Sequence, residues 1–153
     1  MDTNEQQTHT NTHTNTQNQT QTQTQTRKPS VWHTLQANDA AALIDFLVDT
    51  VGFTRTAVYE DGGLVAHAQL DWPEGGGIML GSYKEDGWST PPGTAGAYVV
   101  TAQVDALYER VKAAGAKVIR EIADQPYGSR EFAIVDPEGN KWSFGTYAGE
   151  LPG

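Results

Sequence analysis

Apolar and polar residues alternate with a period of two along most of the chain after residue 30, and two segments depart from this pattern. The first begins after Asn38 or Asp39 and has the i, i+3, i+4, i+8 spacing of an amphipathic helix, with Leu43, Phe46, Leu47 and Val51 on one face. The second carries Val104, Leu107, Val111 and Ala114. Gly52 and Gly115 end these segments, which predicts two helices that pack on sheets.

The alternating runs are rich in β-branched and aromatic residues and are separated by turns that contain Gly or Pro, which predicts strands. We expect them at residues 31–36, 54–59, 64–71, 77–83, 97–101, 117–122, 131–135 and 141–146. Asp61-Gly62-Gly63 is typical of a hairpin turn. In the turn before the last strand, Pro137 fixes φ, and Gly139 and Asn140 tolerate the left-handed region.

The pattern occurs twice. Pro-Glu-Gly stands at residues 73–75 and again at residues 137–139, which is 64 positions later, and the two helix-ending glycines are 63 positions apart. Conserved order and spacing indicate a duplication of a strand, helix, strand, strand, strand unit. With the 63-residue offset, His33 corresponds to Gly96.

Residues 1–28 consist almost wholly of Thr, Gln, Asn and His, and they have no apolar residue after Met1. Such a composition cannot bury enough surface to offset the entropy of ordering, so we expect a disordered tail. His9 and His13 are too few to favour a metal-binding tract. The segment also lacks the pattern of a secretory signal or a transit peptide.

The formal net charge of -9 belongs to the rest of the chain, because two acidic and two basic residues cancel within the tail. An acidic domain is a poor partner for nucleic acid or for an anionic membrane surface. The chain has no Cys, which excludes disulfides, thiolate metal sites and Cys nucleophiles. No apolar run reaches membrane-spanning length, and we expect the protein in the cytoplasm.

The hairpin Asp-Pro-Glu-Gly-Asn-Lys-Trp at residues 136–142, within this duplicated pattern, resembles the vicinal oxygen chelate superfamily of glyoxalases, bleomycin-resistance proteins and dioxygenases. Residues 127–130 and 142–147 are similar to a glyoxalase-like bacterial subgroup. The resemblance implies an α+β fold in residues 29–148, with two tandem βαβββ modules forming curved mixed sheets around a cleft. Module 1 is expected at about residues 31–83 and module 2 at about 95–147. The resemblance also implies a homodimer.

Metal enzymes of this superfamily take ligands from the first and last strands of each module. By resemblance these positions are His33, Met79, Gly96 and Ser143, and only His33 binds divalent metals well. We therefore expect no cofactor and no catalytic metal. The alternative is a divalent metal held by His33 and His67 with Glu131 or Glu121, as in a metal-dependent lyase, isomerase or dioxygenase.

We call the cleft that each curved sheet forms its cup. Without a metal, the residues expected to line the cup favour an apolar or aromatic guest. By alternation Ser143 shares the cup face with Lys141, Gly145 and Tyr147, whereas Trp142 and Phe144 face the helix, and we group His33 with Val31 and Leu35 on the cup. Trp88, in the loop at 84–94, is either a flap over the pocket or part of a linker. The expected pocket residues are His33, Leu35, Met79, Trp88, Gly96, Tyr98, Arg130, Ser143 and Tyr147.

The sequence thus favours a bleomycin-resistance-like protein that binds a small, largely apolar organic molecule in the cup. The competing interpretations are the metal-dependent enzyme described above and an isolated interaction subunit.

Overall fold

The computed structural model describes residues 28–153, and the tail expected at residues 1–28, with His9 and His13, lies outside the described residues apart from Lys28. The elements of module 1 are β1 (His33–Ala37), α1 (Ala40–Asp45), a π-helical segment (Phe46–Val51), β2 (Thr54–Asp61), β3 (Leu64–Asp71) and β4 (Gly77–Ser82). Those of module 2 are β5 (Gly96–Val100), α2 (Val104–Ala113), β6 (Lys117–Asp124), β7 (Arg130–Val135) and β8 (Lys141–Gly145). Within residues 28–153 no helix is long and apolar enough to cross a bilayer.

Each module folds into a four-stranded mixed sheet with one helical arm. The strand order is β1-β4-β3-β2 in module 1 and β5-β8-β7-β6 in module 2. In both sheets the first strand pairs in parallel with the last, and the other pairs are antiparallel. The predicted α+β fold with two tandem βαβββ modules is therefore confirmed.

The helical arm of module 1 is one residue longer than that of module 2. The N-caps Asp39 and Gln103 are 64 positions apart, but Gly52 and Gly115, which follow the two arms with positive φ, are 63 apart. Module 1 accommodates its extra residue as a π-helical turn, in which the Gly52 N–H donates to the Leu47 carbonyl five residues earlier at 2.9 Å. The sequence offset between equivalent residues of the two modules therefore changes from 64 to 63 within the helical arm.

This change of offset corrects the predicted equivalence between the first strands. His33 pairs with Ile78 in module 1, and Ala97 pairs with Trp142 in module 2. Since Ile78 and Trp142 both follow their Pro-Glu-Gly turns at the same distance, His33 corresponds to Ala97. The prediction that it corresponds to Gly96 is wrong by one residue, and a shift of one residue in a strand exchanges the two faces of the sheet.

One face of each sheet packs into the hydrophobic core with the helices. Trp142 and Phe144 of β8 are 1% and 0% exposed, so their predicted helix-facing orientation is confirmed. Phe144 stacks on Phe132 with ring centroids 5.0 Å apart, and Phe132 contacts Tyr108 of α2. We call the opposite face of each sheet its cup face.

The turn before β8 is held by a buried carboxylate. Asp136 Oδ1 accepts from the backbone N–H groups of Glu138 (2.9 Å) and Asn140 (3.0 Å), and Oδ2 accepts from Asn140 Nδ2 (2.9 Å) and Trp142 Nε1 (2.8 Å). Gly139 takes the predicted left-handed conformation with φ 99°. Asn140 does not; its side chain is fixed instead by Asp136 and by the Ala95 N–H, which donates to Asn140 Oδ1.

The two Pro-Glu-Gly turns dock the modules onto each other. Glu74 of module 1 accepts from the backbone N–H of Ala102, before α2, at 2.7 Å. Glu138 of module 2 accepts from the backbone N–H of Asp39, before α1, also at 2.7 Å. Trp72, beside the first turn, donates from Nε1 to the Val100 carbonyl at 2.9 Å. The repeated sequence therefore has a reciprocal role: each turn accepts a hydrogen bond from the segment that leads into the other module's helix.

Candidate functional site

A cavity of about 520 Å³ lies between the modules, where the beginnings of β1 and β4 face β5. We call it the intermodule cavity. Its walls are mainly aromatic and aliphatic, and they include Phe53, Trp72, Ile78, Val99, Val100 and Trp142. Polar groups are contributed by His33, Glu74 and Tyr98. The cavity can therefore surround an apolar molecule and offer it a few hydrogen-bonding partners.

His33 is the most unusual polar residue of this cavity. Its Nε2 atom is buried and has no hydrogen-bond partner among the described residues. Its ring meets Trp142 edge to face, with centroids 6.1 Å apart. Burial lowers the pKa of the imidazole below its usual value, so the neutral form is favoured at neutral pH. A buried polar atom without a partner is costly, and a ligand that pairs with Nε2 would remove that cost.

The cup face of module 1 forms a second, more polar depression of about 340 Å³. Thr34, Gln36, His67 and Met79 line it from the sheet, and Asp86 and Ser89 line it from the loop after β4. His67 stacks on Tyr59 with ring centroids 6.2 Å apart.

Hydrogen bonds fix the loop over this depression. The Thr90 N–H donates to Gln36 Oε1 of the sheet at 3.2 Å, and within the loop Asp86 accepts from the backbone N–H groups of Trp88 and Ser89. Trp88 is 92% exposed and lines neither cavity. In this conformation its side chain does not cover a pocket.

The cup face of module 2 brings together Tyr98, Glu131 and Ser143, whose strands are paired in register. The hydroxyl of Tyr127 donates to Glu131 Oε1. Arg130 does not join them, because its guanidinium is bonded to Asp105 at 3.0 Å and to Asp124 at 3.2 Å. These carboxylates raise the pKa of Arg130 above its usual value.

The residues expected in one cup are thus distributed over several surfaces. His33 and Tyr98 line the intermodule cavity, while Met79 lies in the cup of module 1. Gly96 and Ser143 lie on the cup face of module 2, and Tyr147 follows β8. The expectation that Leu35 lines the pocket is corrected by the structure. Leu35 is 1% exposed in the core, because β1 turns the face that carries His33 and Leu35 toward the helices. In module 1 the cup-facing partner of Met79 is Thr34.

Sequence reasoning missed the residues that close the intermodule cavity, namely Phe53, Trp72, Glu74 and Val100. The recurring Pro-Glu-Gly turn was a usable signal for Glu74, because a repeated acidic residue in a turn indicates a shared contact. No local sequence pattern distinguishes Phe53 or Val100 from other apolar residues at the ends of strands.

The described residues do not fit a divalent metal. Within residues 28–153, no three His, Cys, Asp or Glu side chains converge closely enough to hold an ion. His33 lies in the intermodule cavity and His67 in the cup of module 1, whereas Glu131 is buried in module 2. The alternative ligand set of His33, His67 and Glu131 is therefore not assembled, and the three other positions inferred by resemblance, Met79, Gly96 and Ser143, supply no strong donor.

Comparison with known proteins places the chain in a family. The family model described as "Glyoxalase/Bleomycin resistance protein/Dioxygenase superfamily" matches residues 30–144. An uncharacterised protein of Mycobacterium tuberculosis (strain ATCC 25618 / H37Rv) is 35% identical over 129 residues, covering 77% of this chain and 74% of the relative.

Two crystal structures show the same architecture. TioX from Micromonospora sp. ML1 has a TM-score of 0.66 and 27% identity, over 81% of this chain and 100% of TioX. TnmS3, described as an antibiotic binding protein from Streptomyces sp. CB03234, has a TM-score of 0.58 and 24% identity, over 76% of this chain and 96% of TnmS3. With the family model covering most of the chain, this protein belongs to the glyoxalase/bleomycin resistance protein/dioxygenase superfamily.

Proposed function

We propose that the protein binds a small, largely apolar organic molecule in the intermodule cavity, without a catalytic divalent metal. The observation that carries the proposal is the buried, unpartnered Nε2 of His33 in a cavity walled mainly by apolar and aromatic side chains. A site of this kind selects a guest by shape and apolar contact and orients it through one or two polar atoms.

The dimensions agree with this proposal. Pockets for small organic molecules commonly enclose about 300–1,000 Å³, and the intermodule cavity encloses about 520 Å³. Trp72 presents a partly exposed aromatic surface for stacking, and Phe53 and Trp142 lie in the wall as buried rings. His33 in its neutral form can either donate to or accept from a ligand atom, depending on its tautomer.

The family also supports a binding role. One protein of this fold, TnmS3, is described as antibiotic binding, so the architecture accommodates an organic guest. The metal-dependent lyase, isomerase or dioxygenase is the weaker hypothesis, because His33 and His67 lie on different surfaces and cannot share an ion in this arrangement. The proposal therefore gives His33 the role of a ligand-orienting residue.

A fluorescence titration with the neutral, apolar dye N-phenyl-1-naphthylamine tests the location of binding. Val100→Trp places a large side chain at the wall of the intermodule cavity, and we expect it to weaken dye binding by about tenfold, which corresponds to about 1.4 kcal/mol. Ile119→Trp is the matched control, because Ile119 is a similarly exposed strand residue (40% against 37%) that lies outside the cavity. Equal affinity of the Val100→Trp variant and the native protein would refute this location.

We also propose that the protein forms a homodimer, as the family resemblance implies. Sedimentation velocity at micromolar concentration should give a species of twice the 16.6 kDa chain mass, and a species of 16.6 kDa would contradict the proposal.

A further inference from the structure

A buried carboxylate on the cup face of module 2 has no part in the proposed function. Glu131 is only 7% exposed. Its Oε1 atom accepts a hydrogen bond from the Tyr127 hydroxyl. Its Oε2 atom has no hydrogen-bond partner within residues 28–153 and is not among the atoms shielded from solvent, so this oxygen of a largely buried carboxylate can be reached by a ligand.

Tyr98 and Tyr127 lie beside this carboxylate, Tyr147 packs against Tyr127, and all three leave much of their ring surface open. Tyr98, Tyr127 and Tyr147 are 43%, 60% and 41% exposed. The rings of Tyr127 and Tyr147 stand at 78° with centroids 6.3 Å apart, which makes a corner of two aromatic surfaces. Ser129 connects the group, because its Oγ lies 3.4 Å from the Tyr98 hydroxyl and accepts from the Tyr147 N–H at 3.1 Å.

The backbone is adapted to this convergence. A Cβ atom on Gly145 would collide with the Tyr98 hydroxyl and would lie 2.6 Å from Glu131 Cγ. Gly145 is in β8 and pairs with both Val100 and Glu131, so it lies beneath the group. The absence of a side chain at this position is what allows Tyr98 and Glu131 to approach each other.

The chemistry of the group suits an organic cation. The faces of aromatic rings attract ammonium groups, and aromatic cages are used to bind quaternary ammonium ligands. Glu150 adds a second carboxylate, since it accepts from the Tyr147 hydroxyl at 3.2 Å. The hydrogen bond to Glu131 raises the pKa of Tyr127, which keeps the phenol neutral, while the Arg120 guanidinium acts in the opposite direction.

We propose that Glu131 with Tyr98, Tyr127 and Tyr147 forms a binding site for an organic cation, either a quaternary ammonium or a protonated amine that carries an apolar group. Two basic residues lie on this side of the sheet: Arg120, which acts on Tyr127, and Lys141, which shares a face of β8 with Ser143 and Gly145. Both are exposed and make no ion pair within 4.0 Å among the described residues. The excess of acidic over basic residues, with a net charge of -9, further favours a cation. This site shares Tyr98 with the lining of the intermodule cavity, but Glu131, Tyr127 and Tyr147 do not line that cavity, so the two proposals can fail separately.

The test is an NMR titration of the full chain with benzyltrimethylammonium, and with benzyl alcohol as the neutral probe. We expect the cation to bind more tightly than the alcohol. Glu131→Gln preserves the shape of the side chain and removes its charge, and Tyr127→Leu removes an exposed ring. Each should weaken binding of the cation by about fivefold or more.

Tyr59→Leu is the matched control, because it removes an equally exposed tyrosine from the other module, and it should leave cation binding unchanged. Thermal melts establish that each variant is folded; Tyr127 is on the surface, so its variant keeps the test decisive if Glu131→Gln unfolds. Arg120→Gln should strengthen binding, since it removes the like charge. Equal affinity for the alcohol and the cation, no measurable binding of the cation, or unchanged cation binding in the Tyr127→Leu variant would each overturn the proposal.

Discussion

His33 and Asp136 are both polar residues that contact Trp142, but they differ in how many hydrogen bonds their side chains make. Asp136 accepts four hydrogen bonds from its own turn and from Trp142. His33 Nε2 has no partner within the described part of the chain. Asp136 therefore stabilises the fold, and His33 leaves a polar atom without a partner, on which the proposed ligand contact is based.

The sequence predicted the turn at residues 136–140 from its Pro, Gly and Asn, but it did not predict that Asp136 accepts the hydrogen bonds that hold this turn. It predicted His33 as a pocket residue but assigned it to the cup, because alternation shows which residues share a face and not which face meets the helices. Only the burial of Leu35 and Ala37 decides that question.

Replacing Asp136 with Ala should lower the free energy of unfolding by about 2–4 kcal/mol, because it leaves the buried Trp142 Nε1 and the Asn140 amide without acceptors. Urea denaturation followed by circular dichroism measures this change. The control Asp61→Ala alters an exposed hairpin residue and should change stability by less than about 0.5 kcal/mol. A loss in the Asp136→Ala variant no larger than in the control would show that the buried network contributes little.

The pH dependence of stability provides a test of the environment of His33. Burial lowers its pKa in the folded state below the usual value of about 6.5, so at mildly acidic pH the unfolded chain binds more protons at this residue. Above about pH 6.5 the residue is mainly neutral in both states, and its protonation has little effect on stability. As the pH falls from about 7 to 5, the preferential protonation of the unfolded chain lowers the free energy of unfolding. In His33→Gln the decrease over this interval should be smaller than in the native protein. Parallel stability curves for the two proteins would show that His33 is not buried.

At the level of elements, periodicity and turn residues predicted every strand and both helical arms to within a few residues. The local rules succeeded because each element carries its own apolar face and its own ending residue, such as Gly52 and Gly115. They failed at the π-helical segment, where one extra residue is absorbed without changing the apolar pattern. That single residue caused the incorrect equivalence of His33 with Gly96.

The Pro-Glu-Gly turns make a prediction at the same scale. Glu74→Ala and Glu138→Ala should each lower the free energy of unfolding by about 1 kcal/mol, because each removes an acceptor for a backbone N–H of the other module. Glu85→Ala, in the exposed loop after β4, is the control and should have little effect. If both turn variants unfold at the same urea concentration as the control, the turns do not dock the modules.

At the level of the whole molecule, the duplication and the acidity were evident in the sequence, but the cavity was not. Its wall combines residues as distant in the chain as His33, Trp72, Val100 and Trp142, so it depends on how the two modules are placed against each other. Periodicity describes each module by itself. The hydrogen bonds of Glu74 and Glu138 hold the two modules against each other, and the contact of Trp72 with Val100 brings the first turn to β5.

The most direct test of metal-independent binding is the affinity for N-phenyl-1-naphthylamine before and after exhaustive dialysis against EDTA, with the metal content of each sample measured. The described residues bring no three metal-ligating side chains together, so we expect the dissociation constant to be unchanged by EDTA and by added nickel, zinc, iron or manganese. Loss of dye binding with loss of about one ion per chain, and its restoration by one of these metals, would contradict the account.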